Sequence, residues 1–120
     1  MYNSSPGLRV WDSTLAGNQG QRGGGVLNVG SAWCVNVTFS QNVADSDGGG
    51  FYNNRDKVAE LSFVTFYYNS AGARGGQIYD DLGLGRIKNS LLLGDGSLAN
   101  CDGFLPRVDA TTAPTPPAAE

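Results

Sequence analysis

The sequence predicts an all-β protein, a right-handed parallel β-helix solenoid of about four rungs, where a rung is one complete repeat of the chain. One motif, F-x-x-N or a degenerate form of it, recurs four times, and its last residues are Asn18, Asn42, Asn69 and Asp95. A second motif, a glycine block before a short strand, begins at Gly23, Gly48 and Gly75. Both motifs return about every 25 residues, and a constant period of this size is typical of solenoids.

Composition divides the chain into three parts. Residues 1–8 contain Pro6 and Gly7 and lack an apolar period, which predicts an irregular lead-in. Residues 9–105 carry the β-helix repeats. Residues 106–120 are rich in proline, threonine and alanine, so they cannot build a core and are predicted to form an extended linker. We expect the chain to be a fragment of a longer solenoid.

Four nine-residue segments that end at the anchors of the first motif predict long strands. Their first residues are Val10, Cys34, Leu61 and Ile87, and their sixth residues are Leu15, Phe39, Phe66 and Leu92. Both aligned sets are apolar, so both are expected to face inward. A regular strand returns to one face every second residue, whereas these two sets are five residues apart. The spacing therefore predicts a bulge or bend within each long strand.

The segment after each anchor predicts a shorter strand that follows a turn. A variable polar stretch leads into the glycine block, and Val26, Phe51 and Ile78 then occupy one aligned apolar position. Glycine costs about 1 kcal/mol relative to alanine in a helix interior, so glycines repeated at the rung spacing argue against helices. Each rung is therefore expected to hold two or three short strands separated by turns.

Stacking of the rungs predicts two ladders of polar side chains. Parallel rungs about 4.8 Å apart place equivalent residues above one another. The first ladder is Asn18, Asn42, Asn69 and Asp95, and the second is Asn28, Asn53 and Asp80. Asparagine has both amide donors and a carbonyl acceptor, so stacked amides can bond along the axis, whereas aspartate can only accept. The aspartates are therefore expected at the end of each ladder.

Composition also limits the classes of function that the chain can have. The chain has no histidine and a net charge of −3. Histidine-dependent nucleophiles and histidine-ligated metals are therefore excluded, and no basic cluster indicates nucleic acid as a partner. Cys34 and Cys101 form no C-x-x-C pair, and Cys34 is predicted to be a buried free thiol at an inward-facing position. We predict no catalytic, cofactor or metal site, no membrane span and no signal peptide in this sequence.

With these motifs in place, the chain resembles two groups of right-handed parallel β-helix proteins of the pectin-lyase-like superfamily. The chlamydial polymorphic outer-membrane proteins are autotransporter-type adhesins whose repeats carry F-x-x-N and G-G-A-[ILV], similar to residues 39–42 and 48–51. Bacterial choice-of-anchor β-helix surface proteins have rungs similar to residues 87–92 and a terminal N-C-x-G similar to residues 100–103. The alanine of the second motif is replaced by Gly25, Gly50 and Gln77.

The resemblance implies a non-catalytic structural or adhesive module of a secreted or cell-surface repeat protein. It implies an extracellular location, neighbouring β-helix rungs in a longer protein, and an extended glycan or surface protein as partner. Tyr52 and Tyr79 occupy one aligned position on successive rungs, so we predict an outward-facing recognition surface at these residues. The alternative is that the two rings stack on each other.

Two other hypotheses stay open at this point. Similar helices include polysaccharide lyases and hydrolases that use Asp clusters with an Arg or Lys base, which would make the chain a carbohydrate-active module. The candidates are Asp45, Asp47, Asp80, Asp81, Arg55, Arg74 and Arg86. Adjacent Asp80 and Asp81 are expected on opposite faces of a strand, so they would not converge on one bond. Asp45 and Asp47 share a loop, but Arg22 and Arg74 at aligned positions predict exposed ion pairs instead. The spacing of residues 61–69 also fits L-x-x-L-x-L-x-x-N, so a leucine-rich-repeat binding module is the alternative fold.

Overall fold

The computed structural model describes residues 1–82, 84–94, 99–103 and 107–112, and it is all-β over these residues. The strands in chain order are β1 (Tyr2–Asn3), β2 (Leu8–Ala16), β3 (Gln19–Arg22), β4 (Val26–Asn28), β5 (Ser31–Ser40), β6 (Val43–Asp47), β7 (Phe51–Asn53), β8 (Val58–Ser62), β9 (Thr65–Tyr67), β10 (Ser70–Ala71), β11 (Ile78–Asp80), β12 (Leu84–Leu93), β13 (Cys101–Gly103) and β14 (Arg107–Thr112). All of the strand pairs are parallel and join residues one repeat apart. The predicted parallel β-solenoid of about four rungs is therefore confirmed.

The strands stack into three sheets that form the sides of the solenoid. Sheet A has the order β1-β4-β7-β11-β13, sheet C has the order β10-β6-β3, and sheet B has the order β14-β12-β8-β5-β2, with β9 pairing with β5 and β12. The leucine-rich-repeat alternative is wrong, because the residues that follow each glycine block form strands of sheet A. No helix long and apolar enough to cross a membrane occurs in the described part of the chain.

The core lies between the sheets and consists of the aligned apolar positions. The register joins Val10 to Cys34 and Leu61 to Ile87, and the sixth positions pair in the same way. The largest fully buried apolar side chains are Phe39, Phe51, Phe66, Ile78, Ile87 and Leu92. Each contributes about 1.5–3 kcal/mol by leaving water. Both sets predicted to face inward do so.

A left-handed residue interrupts each long strand of sheet B at one aligned position. The residues there are Asp12, Asn36, Phe63 and Asn89, with φ between 50° and 55°. One residue in this conformation reverses the alternation of side chains, so an apolar residue two places before it and another three places after it can both face inward. This is the predicted bulge, and it explains the five-residue spacing.

The glycine blocks are required by close stacking as well as by turns. Gly23, Gly48 and Gly75, the first residue of each block, have φ between 63° and 69°. At the second position, a Cβ added to Gly49 would collide with the carbonyl oxygen of Gly76 on the next rung. The backbones of successive rungs therefore approach too closely at this corner for any side chain.

The two ends of the chain differ from the predicted boundaries. The lead-in of residues 1–8 contains β1, which pairs with β4 in sheet A, and the first residue of β2. The linker of residues 106–120 contains β14, which pairs with β12 in sheet B, and residues 113–120 lie outside the described part. Neither segment has an apolar period, although β1 and β14 each lie at the edge of a sheet.

Candidate functional site

The first ladder runs along the corner between sheets B and C. The Asn18 side-chain amide donates to Asn42 Oδ1 at 3.1 Å, and the Asn42 amide donates to Asn69 Oδ1 at 2.9 Å. The Asn69 amide then donates to Gln77 Oε1 at 2.7 Å. The main-chain N–H of each asparagine donates to the same acceptor oxygen. Gln77 thus takes the acceptor position at this step, and Asp95, the predicted last member, lies outside the described residues.

The second ladder runs through sheet A and has one more member than predicted. Asn3 donates to Asn28 Oδ1 at 2.7 Å, Asn28 donates to Asn53 Oδ1 at 2.8 Å, and Asn53 donates to Asp80 Oδ1 at 3.0 Å. All four side chains are buried. The sequence analysis missed Asn3, although Asn3 lies one repeat period before Asn28 just as Asn28 lies one period before Asn53, and this spacing could have identified it.

Tyr52 and Tyr79 do not form the exposed surface predicted from the sequence. They are 3% and 6% exposed, and their ring centroids lie 5.3 Å apart at an interplanar angle of 35°. The guanidinium of Arg22 lies 5.1 Å from the Tyr52 ring centroid, and that of Arg74 lies 4.4 Å from the Tyr79 centroid. Burial raises the pKa of both phenols. The two rings pack against each other in a tilted arrangement, and the arginines cover them.

Three of the carboxylates considered for catalysis, Asp47, Asp80 and Asp81, are committed to separate contacts. Asp47 accepts two hydrogen bonds from Arg74, at 3.0 and 3.1 Å. Asp81 accepts from the Tyr52 hydroxyl at 3.3 Å and pairs with Arg55 at 3.6 Å. Adjacent Asp80 points inward to the second ladder. Among the residues that the structure describes, no three potential metal ligands of the His, Cys, Asp or Glu type lie together.

Exposed aromatic residues occupy two left-handed positions of the third rung. Phe63 has a φ of 52° and is 61% exposed, whereas the equivalent residues of the other rungs are Asp or Asn. Tyr68 has a φ of 50° and is 44% exposed, and Gly17 and Gln41 precede it at the aligned position. Its ring stacks on that of Tyr67 with centroids 4.6 Å apart. Sequence reasoning missed Phe63, although its departure from the aligned Asp and Asn residues was visible.

A small groove lies next to Phe63 on the outer side of sheet B. It has a volume of about 230 Å³, and its lining includes Trp33, Glu60, Ser62, Arg86 and Lys88. Phe63 directly follows Ser62, and its N–H donates to the Lys88 carbonyl at 3.2 Å. We call this groove together with Phe63 the outer face.

Charged and apolar groups alternate on this outer face. Arg86 and Lys88 are exposed, and neither makes an ion pair with any residue in the described ranges. The Arg9 guanidinium lies 5.5 Å from the Trp33 ring centroid, and Trp11, on the same strand as Arg9, is 60% exposed. The outer face therefore offers aromatic surface with uncommitted cations beside it.

Comparison with known proteins gives one match. The family model described as the Chlamydia polymorphic membrane protein repeat matches residues 36–54, which contain the second anchor and the second glycine block. No curated protein and no solved structure matches the chain significantly. The match bears out the resemblance to this type of repeat over one rung, and the first and third rungs carry the same two motifs.

Proposed function

We propose that this chain, which shares a repeat with the Chlamydia polymorphic membrane proteins, is an adhesive module of a cell-surface repeat protein. The observation that carries the proposal is the exposed Phe63 at a left-handed backbone position. Equivalent positions in the other rungs hold Asp12, Asn36 and Asn89, which tolerate this conformation. An exposed aromatic residue held at such a position points to a role outside the fold.

The energetics support this interpretation of Phe63. A left-handed backbone costs roughly 1–2 kcal/mol for an ordinary L-residue, and asparagine reduces that cost through local hydrogen bonds. Because the Phe63 ring is 61% exposed, burial recovers little of the cost. Tyr68 is a second case on the same rung, with a φ of 50° and an exposed ring. Folding alone would favour Asn or Gly at both positions.

The outer face fits an extended segment of another surface protein. Phe63 supplies an exposed apolar anchor, the adjacent groove supplies a concave surface, and Arg86 and Lys88 supply a cationic rim. Aromatic anchors surrounded by polar groups are typical of energetically important positions in protein interfaces. The uncommitted cations favour a partner segment that carries carboxylates.

The size of the surface implies weak binding by one module. The groove of about 230 Å³ is small, and one aromatic anchor gives a small contact area. In a longer repeat protein, several such modules would gain affinity through avidity. An extracellular position at the cell surface, where repeated weak contacts support adhesion, is part of this proposal.

The test compares two variants for binding to host-surface proteins. The chain is immobilised at high density and probed against arrays of surface proteins and of glycans. Phe63→Asn should abolish binding while raising the melting temperature, since asparagine relieves the left-handed strain. Leu91→Asn is the matched control, because Leu91 is also an exposed apolar residue of sheet B, 38% exposed, and its own φ is not positive.

The outcomes separate the hypotheses. Binding to a protein that Phe63→Asn removes and Leu91→Asn retains supports the proposal. Binding restricted to glycans, or binding insensitive to Phe63→Asn, contradicts the assignment of this face. Absence of binding by the native chain overturns the adhesive role and leaves a structural spacer.

A further inference from the structure

Residues at the corner between sheets B and C form a surface without charged side chains on all four rungs. The chain has 8 Lys+Arg and 11 Asp+Glu residues, and none of them falls within residues 13–21, 37–44, 64–72 or 90–94. Each range contains the part of sheet B that follows the left-handed residue of its rung, and the first three ranges continue into a strand of sheet C. We call the outward side of these ranges the neutral face.

We infer that the neutral face binds an uncharged carbohydrate through Tyr67 and Tyr68. The inference rests on a pair of stacked rings at the surface, on hydroxyl and amide groups beside them, and on the lack of charge in the surrounding ranges. It is independent of the proposed adhesive function. Phe63 precedes β9 and lies beside the cationic groove, whereas the two tyrosines lie at the end of β9 and directly after it.

The two tyrosines form an aromatic platform on the third rung. Their rings are nearly parallel, at an interplanar angle of 10°, and both side chains remain exposed although each ring contacts the other. On the second and fourth rungs, the equivalent dipeptides are Ser40-Gln41 and Leu93-Gly94. These neighbours have smaller side chains than tyrosine, so the stacked rings are the largest aromatic surface on this side of the solenoid within the described ranges.

The requirements of folding do not explain the Tyr68 ring. Tyr68 has a φ of 50°, which is unfavourable for an L-residue with a bulky side chain, and Gly17 and Gln41 adopt the same left-handed conformation on the preceding rungs. Stacking on Tyr67 offsets part of this cost but leaves aromatic surface in water. A sugar ring placed on the platform would remove that surface from water, and the C–H bonds on its face would meet the negative face of the aromatic ring.

Hydroxyl and amide groups border the platform on the second and third rungs. All are exposed or half-buried, and they belong to Thr38, Ser40, Gln41, Thr65 and Ser70. Their side chains form no hydrogen bond with the part of the chain that the structure describes. The amides of Asn42 and Asn69, on the inner side of the same corner, are by contrast fully used within the first ladder. The outward groups can therefore exchange water for the hydroxyls of a ligand.

The distribution of charge favours an uncharged ligand at this face. Hydroxyls and amides can bond the hydroxyls of a sugar, but they supply no opposite charge to a carboxylate or an ammonium group that loses water on binding. Acidic ligands are better matched by Arg86 and Lys88 on the outer face.

The polar surroundings of the rings also favour a carbohydrate over a protein partner. Aromatic residues at the centre of a protein interface are usually surrounded by further apolar surface. Beside Tyr67 and Tyr68, the second rung instead presents the hydroxyl of Ser40 and the amide of Gln41. Aromatic rings with a few polar groups at their edge are typical of small-molecule sites that fix the orientation of a ligand.

The test titrates the full chain with short neutral oligosaccharides of glucose, N-acetylglucosamine, mannose and galactose, and with oligogalacturonate as the acidic probe. Binding is followed by backbone NMR shifts and by saturation transfer from the protein to the sugar. We expect shifts at residues 38–41 and 65–70 with at least one neutral oligosaccharide. Its Kd should stay the same when the salt concentration rises from about 50 mM to about 500 mM, because no ion pair contributes.

A double variant copies the second rung into the third. Tyr67→Ser with Tyr68→Gln reproduces the dipeptide Ser40-Gln41, in which Gln41 already has a left-handed φ of 54°. The fold should therefore be retained, which circular dichroism checks, and the affinity for the neutral oligosaccharide should fall by about tenfold or more. Tyr2→Ser is the matched control, because Tyr2 is an exposed tyrosine of β1 outside the neutral face, and its replacement should leave the affinity unchanged.

Four results would overturn the inference. They are equal affinity of the native chain and the double variant, absence of binding to every neutral oligosaccharide tested, and a preference for oligogalacturonate that salt weakens. The fourth is self-association of the native chain that the double variant abolishes, which would assign the tyrosines to a contact between copies. Binding of a neutral oligosaccharide that the double variant loses and Tyr2→Ser retains supports the inference.

Discussion

Replacing Asn42 with leucine tests the first ladder most directly. The Asn42 amide donates to the Leu15 carbonyl and to Asn69 Oδ1, both at 2.9 Å, and its own Oδ1 accepts from the Asn18 main-chain N–H at 3.0 Å. Leucine has the same branching and number of side-chain heavy atoms, is somewhat larger, and has no polar group in its side chain. Asn42 is 0% exposed, so water cannot take its place without opening the rungs. The substitution therefore removes a hydrogen bond from each of these partners.

The size of the expected destabilisation depends on which hydrogen bonds remain in the variant. The Asn18 side-chain amide loses its acceptor, but it is exposed and can bond to water. Asn69 Oδ1 keeps the hydrogen bond from the Asn42 main-chain N–H at 2.9 Å, so the Leu15 carbonyl and the Asn18 main-chain N–H are the two partly buried groups that lose a hydrogen bond. Such a group costs about 1–3 kcal/mol when buried, and both are partly buried, which favours the lower half of that range. We expect Asn42→Leu to lower the free energy of unfolding by about 2–3 kcal/mol.

Gln41→Leu is the matched control. Gln41 is adjacent, exposed and left-handed, with a φ of 54°, and its side chain bonds to no described residue. Its replacement should change the free energy of unfolding by less than about 0.5 kcal/mol. Urea unfolding followed by circular dichroism measures the free energy of unfolding of both variants. On heating, the Asn42→Leu melting temperature should fall by about 8 °C or more. Equal midpoints for the two variants would refute a stabilising role of the ladder.

Three further predictions address packing, ionisation and catalysis. Gly49→Ala should destabilise the chain by about 1–3 kcal/mol through collision with the Gly76 carbonyl, whereas Gly7→Ala, in open space, should be neutral in the same urea titration. Burial raises the pKa of Cys34 from 9.0 to about 12, so the native thiol should resist iodoacetamide at pH 8.5. The contribution of this thiol to stability should be complete below pH 9.0 and be lost as pH rises towards about 12, and a constant stability over that range would contradict this burial effect. We expect no release of unsaturated or reducing sugars from polyuronates, and release that Asp47→Asn abolishes would favour the carbohydrate-active alternative.

The period made much of the fold predictable. Equivalent residues of a solenoid stack directly, so the aligned Val10, Cys34, Leu61 and Ile87 became neighbours in sheet B without knowledge of the intervening path. The same logic placed Asn18, Asn42 and Asn69 in one line. The five-residue spacing also required a bulge, and the left-handed residues of sheet B supply it.

The candidate recognition surface was not predictable in the same way. In a strand, neighbouring residues alternate between faces. Tyr52 was therefore expected to point outward, opposite to its neighbours Phe51 and Asn53. Tyr52 does stand on the outer side of β7, yet all three residues of β7 are buried. The difference arises because Arg22 and Arg74 reach over the tyrosine rings from sheet C. Such coverage depends on the angle between two sheets, which no local pattern encodes.

The sequence by itself determined the architecture of this protein: the number of rungs, the inward-facing positions, and the stacking of asparagines all follow from a short motif repeated at a constant period. Only the tertiary structure decided which polar and aromatic groups are available to a partner. It buried Tyr52 and Tyr79 and exposed Phe63 beside a groove. The physical reason is that stacking is fixed by the repeat, whereas exposure depends on side chains that converge from different sheets.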